Sequence, residues 1–138
     1  MKRKAKAHWS GTIKEGKGEL TTQSEILNRT NYSFKTRLEE HQKGTSPEEL
    51  LAAAHAACFT MAVSFALTEK GLKPKSLDTE ATLTMEGFAI TGMHLSISGA
   101  VSGIGADEFE TITKDAEKNC LISKVLNIPI SSEAHLIA

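Results

Sequence analysis

The sequence is short of several things, and each shortage narrows what the chain can be. It holds two cysteines, Cys58 and Cys120, in 138 residues. They form no CxxC and no Cys/His quartet, which argues against a structural zinc site. Charge of one sign is lacking too: the formal net charge is −1, which leaves no basic footprint for nucleic acid. Only the first six residues, MKRKAK, are locally basic, and no apolar run follows them, so they do not read as a secretory signal. Two thiols without such a signal point to the reducing cytoplasm, where a disulfide is transient rather than structural. There is no repeat, no low-complexity tract and no long linker. The length predicts a single domain over residues 1–138, large enough for a real core, and 40% hydrophobic with 24% charged residues is an ordinary globular composition.

What the sequence does have is one long apolar stretch, SPEELLAAAHAACFTMAVSFALTEKG, from Ser46 to Gly71. It predicts one long helix. Ser46 suits the N-cap, Pro47 the first helical position, and Glu48 and Glu49 the positive end of the dipole. Glu49 stands three residues after Ser46, the spacing of a capping box, and Gly71 fits the C′ position. The run from Leu50 to Leu67 is apolar on all sides, which predicts a helix buried on most of its surface. It is just long enough to cross a membrane. Its alanines, its polar His55, Thr60 and Ser64, and its soluble-type caps favour a buried central helix instead.

The flanks read as strands and shorter helices. Lys4–Gly11, Glu19–Gln23 and Asn31–Glu39 predict an antiparallel meander, with Arg37 on the Ser33/Lys35 face of the last strand. His41–Thr45 predicts a loop into the long helix. Ser76–Met85 and Phe88–Val101 alternate cleanly about Glu86-Gly87 and predict a hairpin. Asp107–Cys120 predicts a helix, Leu121–Leu126 a short one, and Ile128–Ile137 a closing strand. The order gives an α+β fold.

Taken one at a time, the candidate reactive residues have plain explanations. A small thiol in an alanine-rich helix ordinarily packs. A reactive one needs a cation, a helix N-terminus or a histidine to stabilise its thiolate. Cys58 is too far along its own helix for that helix's N-terminus to help. His55, three residues earlier, shares its face and would suit a Cys/His hydrolase. Side chains one turn apart point outward together, however, and no third group or oxyanion hole is evident, so a buried structural histidine is the plainer reading. Arg37 reads as a solvated cation, Glu48 as a dipole partner and Cys120 as a small core residue. A non-catalytic protein that binds a small apolar ligand also stays open.

The stretch Thr45-Ser46-Pro47-Glu48-Glu49-Leu50-Leu51-Ala52-Ala53-Ala54-His55-Ala56-Ala57-Cys58-Phe59 closely resembles the signature of the OsmC/Ohr family of thiol-dependent peroxidases. Cys120-Leu121-Ile122-Ser123-Lys124-Val125-Leu126 resembles the family's second cysteine motif. The HWSG start, the GKG turn and FAITGMHLSISG also fit, and His-Ala-Ala-Cys-Phe is more like the osmotically inducible branch. The resemblance implies an intertwined homodimer with antiparallel sheets and a long buried helix. It implies reduction of organic hydroperoxides and hydrogen peroxide in stress defence, with no metal, flavin or haem. Cys58 is then the peroxidatic and Cys120 the resolving cysteine, joined in a transient disulfide that an external dithiol reduces. Arg37 and Glu48 are the polar pair that activates Cys58, the glutamate holding the guanidinium bidentately. One departure is visible: the family commonly has proline after its second cysteine, and here Leu121 stands there.

Helix geometry adds one expectation. Glu48 and Cys58 are ten residues apart on one helix. At about 1.5 Å and about 100° per residue they differ by roughly 15 Å along the axis and roughly 80° in direction. Glu48 therefore does not reach Cys58 of its own helix. Two such helices packed antiparallel about a two-fold axis would bring Glu48 of one chain beside Cys58 of the other.

Overall fold

The structure, a computed structural model, describes residues 1–40 and 43–137. The order of elements is β1 (Ala5–Ser10), β2 (Lys17–Thr22), β3 (Thr30–Tyr32), α1 (Phe34–Leu38), α2 (Pro47–Glu69), β4 (Pro74–Glu86), β5 (Ala89–Val101), α3 (Ala106–Asn119), α4 (Leu121–Val125) and β6 (Ile130–Ile137). This is the α+β order expected. The chain falls into two units, Met1–Leu50 and the remainder from Leu51.

In the first unit β1, β2 and β3 form the expected antiparallel meander, and Trp9 and Tyr32 meet in a tilted ring contact at 5.7 Å between centroids. The predicted strand over Asn31–Glu39 is not formed. It ends at Tyr32, and Arg37 lies on α1 instead. The cause is a capping box. Ser33 Oγ accepts the Thr36 amide at 3.1 Å, and Thr36 Oγ1 accepts the Ser33 amide at 2.7 Å. Thr36 Oγ1 also lies 2.7 Å from the Thr45 carbonyl, which ties α1 to the residue leading into α2. Of the predicted loop, His41 and Gln42 lie outside the described residues, while Thr45 bridges in parallel to Tyr32.

The capping of α2 largely follows the sequence. Ser46 Oγ accepts the Glu49 amide at 3.1 Å. The reciprocal half of the predicted box is absent, because the Glu49 carboxylate accepts the Thr45 hydroxyl at 2.8 Å instead. At the other end Gly71 has φ +76°, a left-handed conformation that glycine adopts without Cβ strain. Its amide reaches the Thr68 carbonyl, and the Leu72 amide reaches Leu67, the paired bonds of a Schellman motif.

The second unit is built on a three-stranded sheet in the order β4-β5-β6. β4 and β5 form the predicted hairpin. β6 joins β5 in parallel rather than antiparallel, a correction to the sheets expected. The α3–α4 crossover between them supplies the length a parallel connection needs. Alternate residues of β5, Met93, Leu95, Ile97 and Val101, enter the core with Phe59, Val63 and Leu67 of α2 and Phe109, Ile112 and Ala116 of α3. Gly99 completes the β5 row, since a Cβ there would stand 2.5 Å from the Phe109 ring.

In this chain α2 is not buried on most sides. Its buried residues are His55, Phe59, Val63 and Leu67, one stripe at four-residue spacing. Met61 is 73% and Phe65 67% exposed. By length and composition α2 could also cross a membrane, but its buried stripe belongs to the core of the mixed sheet.

Candidate functional site

The four residues singled out from the sequence come together as two pairs. Arg37 and Glu48 meet within the first unit. α1 presents Arg37 one turn after the Ser33 cap, and the first turn of α2 presents Glu48. Arg37 Nε donates to Glu48 Oε1 at 2.6 Å. The contact runs through one carboxylate oxygen, not the two of the bidentate pair expected. Oε2 is buried without a hydrogen-bond partner among the described residues. A buried carboxylate oxygen in that state is unfavourable unless a further donor reaches it.

Cys58 and Cys120 meet within the second unit. Both are free thiols, Cys58 half-buried and Cys120 buried in the core. Cys58 packs against the core cluster that contains Cys120. Burial pushes the Cys58 thiol up, but the Ile122 amide, the Cys120 thiol and the Leu121 amide together bring it below the ordinary cysteine range. Cys120 moves the opposite way. Burial raises it and the Cys58 sulfur raises it further, against the Ser123 amide and hydroxyl and the Ile122 amide. The two thiols are thus set apart by environment, one toward thiolate and one toward neutral donor.

The stabilising amides were not visible in the sequence. Cys58 sits far along its own helix, beyond the reach of that helix's N-terminus. The donors come instead from the start of a different helix, α4, whose first-turn N–H groups have no partner within that helix. The available signal was the short helix predicted directly after Cys120. Ser123 was missed in the same way. His55, weighed above as a partner for Cys58, faces elsewhere: its Nε2 lies 2.8 Å from Ser123 Oγ. A Cys58–His55 nucleophile pair therefore gains no support. Among the described residues, no group of three or more His, Cys, Asp or Glu could hold a metal ion.

Leu121 gives a clean test of the amide contribution. Proline at this position lacks the N–H that faces Cys58. The preceding residue, Cys120, has φ −56° and ψ 130°, which a following proline tolerates, and proline is favoured at the first position of a helix. The Leu121 side chain is largely exposed, so little packing is lost. Leu121→Pro is expected to keep α4 and raise the Cys58 pKa. Alkylation rate against pH should show its midpoint displaced upward, and an unmoved midpoint would remove the Leu121 amide from the site.

Comparison with known proteins places this geometry in a family. The family model described as OsmC-like protein matches residues 40–133. The chain is 46% identical over 138 residues to peroxiredoxin OsmC of Escherichia coli (strain K12), covering 97% of this chain and 96% of that one. It is 32% identical over 101 residues to the organic hydroperoxide resistance protein OhrA of Bacillus subtilis (strain 168), covering 70% of this chain and 72% of that one. In three dimensions it resembles an organic hydroperoxide resistance protein OsmC from Legionella pneumophila, with a TM-score of 0.72 at 18% identity over 100% of this chain and 98% of that one. With both cysteine motifs inside a match that runs almost end to end, the chain belongs to the OsmC-like family.

Proposed function

We propose that the protein is a soluble, cytoplasmic thiol-dependent peroxidase that reduces organic hydroperoxides, and hydrogen peroxide, in oxidative and osmotic stress defence. The similarity to peroxiredoxin OsmC and to OhrA supports the activity. The observation that carries the reading is the packing of half-buried Cys58 against the core that buries Cys120, with the Cys58 thiol lowered and the Cys120 thiol raised.

The chemistry follows from that asymmetry. The Cys58 thiolate attacks one peroxide oxygen, and the O–O bond breaks. The departing alkoxide takes a proton and leaves as alcohol, while Cys58 holds the other oxygen as sulfenic acid. The Cys120 sulfur then attacks Cys58, water leaves, and a disulfide forms before further oxidation. An external dithiol restores both thiols by exchange. Cys58 packs against the same apolar core as Leu51 and Ala62, a setting that favours an organic peroxide. Arg37 supplies a permanent cation and Glu48 orients it. We read residues 1–138 as one functional domain that acts as a homodimer, with the exposed apolar face of α2 as part of the contact between chains.

The test is peroxide consumption by purified protein with a dithiol or a monothiol as reductant. Sustained turnover of an organic hydroperoxide with the dithiol, and much slower turnover with the monothiol, is expected. Absence of turnover with any thiol would refute the reading.

A further inference from the structure

His55 is fully buried in the helix that carries Cys58, and the reaction as written makes no use of it. Its Nε2 lies 2.8 Å from Ser123 Oγ, and its Nδ1 is buried with no partner among the described residues. Ser123 stands one turn after Cys120, in α4. With Cys120 as the N-cap of α4, Ser123 holds the third helical position, the one that faces the cap residue, although no side-chain capping hydrogen bond is closed. Its amide and hydroxyl both pull the Cys120 thiol down against burial. Imidazole, hydroxyl and thiol therefore form a series that ends on Cys120, not on Cys58.

The orphan nitrogen fixes the tautomer. Burial pushes His55 below its ordinary range, with the Glu117 carboxylate pulling the other way, so the ring is neutral near pH 7. A neutral ring carries a single N–H. On Nδ1 it would be a buried donor without an acceptor, the rarer and costlier kind of orphan. On Nε2 it donates to Ser123 Oγ and leaves only a bare lone pair on Nδ1. Ser123 has one hydroxyl proton. With the imidazole filling a lone pair of Oγ, that proton is free to point at Cys120.

We propose that His55, acting through Ser123, is a positioning residue for Cys120, presenting the Ser123 hydroxyl to the sulfur as it becomes the attacking nucleophile. The inference rests on the reading of Cys58 and Cys120 as the peroxidatic and resolving pair. In the closing step the Cys120 S–H bond breaks and an S–S bond to Cys58 forms. The S–O bond of the sulfenic acid breaks, and the thiol proton leaves with the hydroxyl group as water. Negative charge gathers on Cys120 during this step, and burial opposes it. The Ser123 donor offsets that penalty where the charge develops. The same donor favours Cys120 as the leaving thiolate when the external dithiol attacks the Cys58 sulfur of the disulfide.

Rapid quenching after one equivalent of organic hydroperoxide, with a sulfenic-acid trap and intact-mass readout, separates Cys58 oxidation from disulfide closure. Ser123→Ala is expected to slow closure about tenfold, the loss of one hydrogen bond to a developing charge, and to slow Cys58 oxidation much less. His55→Leu should act in the same direction, and the double variant should be no slower than the slower single variant. His55→Gln, whose side-chain amide can again donate to Ser123, should recover part of the rate. Closure at the wild-type rate in Ser123→Ala, or equal slowing of both steps, overturns the proposal. Ser123 is only half-buried, so its variant keeps the test decisive even where a His55 variant fails to fold. If the wild-type chain forms no Cys58 sulfenic acid or no Cys58–Cys120 disulfide, the peroxidase reading itself fails. With both steps intact in the wild type, a failure belongs to the His55–Ser123 series alone.

Discussion

Cys58→Ser is expected to lose organic hydroperoxide reduction by at least about a thousandfold, the scale on which removal of a catalytic nucleophile acts. A serine hydroxyl in the same place stays protonated at neutral pH and has no sulfenic acid state. The amides of Ile122 and Leu121 would then face a neutral oxygen and stabilise nothing. The companion variant separates the two thiols. Cys120→Ser keeps the Cys58 thiol and should still consume one equivalent of peroxide. It should not close the intramolecular disulfide, and excess peroxide should carry Cys58 on to the sulfinic acid. Intact mass after stepwise peroxide addition reads this directly: two protons lost in the wild type, oxygen atoms gained in Cys120→Ser. A disulfide found only between chains would refute the Cys58–Cys120 pairing. Undiminished turnover in Cys58→Ser would return Cys58 to a packing role and place the chemistry on another group.

How much of this was legible depended on how locally each feature is encoded. The ends of α2 could be read because Ser46, Pro47 and Gly71 act within a few residues of themselves. The hairpin of β4 and β5 could be read because its alternation is long and the turn at Glu86-Gly87 is short. The segment around Arg37 was misread because two local signals competed. Tyr32, Phe34, Thr36 and Leu38 alternate as in a strand, yet Ser33 and Thr36 also have the spacing of a capping box. The box satisfies two backbone donors at once, and the chain turns into α1. The mate expected for Ser46 failed for a related reason, since Thr45 offers Glu49 a hydroxyl at 2.8 Å. The parallel pairing of β6 is a tertiary outcome that no local pattern specifies.

The site divides along the same line. The residue types were legible through the two cysteine motifs and their resemblance to a known family. The electrostatics were not. What lowers Cys58 is a set of backbone amides delivered by folding from the far end of the chain, and backbone amides leave no mark in residue type. The all-round apolar surface of α2 was read as burial, and within one chain only a stripe is buried.

Mixing Cys58→Ser with Arg37→Ala chains is expected to restore activity that neither variant has alone. Arg37→Ala removes the cation proposed to favour the thiolate and leaves the largely buried Glu48 carboxylate without the donor it has at 2.6 Å. The expectation of recovery comes from the helix. Glu48 and Cys58 lie roughly 15 Å apart along the axis of one α2 and roughly 80° apart around it. On that ideal helix geometry, an arginine held by Glu48 is expected to serve a Cys58 other than that of its own helix. Glu48 Oε2 is buried and unpaired among the described residues, as in a site still missing a donor. Met61 and Phe65 on α2 are exposed and apolar, a surface suited to a second copy of the helix. Antiparallel packing of two copies about a two-fold axis would place the Arg37–Glu48 pair of one chain at the cysteine pair of the other. A mixed dimer then carries one site with Cys58 and Arg37 both intact and one site with neither. Random exchange makes half of the dimers mixed, so recovery should approach about a quarter of wild-type activity per chain. Exchange is verified separately by mass-tagged chains, and peroxide turnover is measured before and after it. Recovery after verified exchange places each site across two chains. No recovery, in dimers shown to have exchanged, would mean that each site is built within one chain.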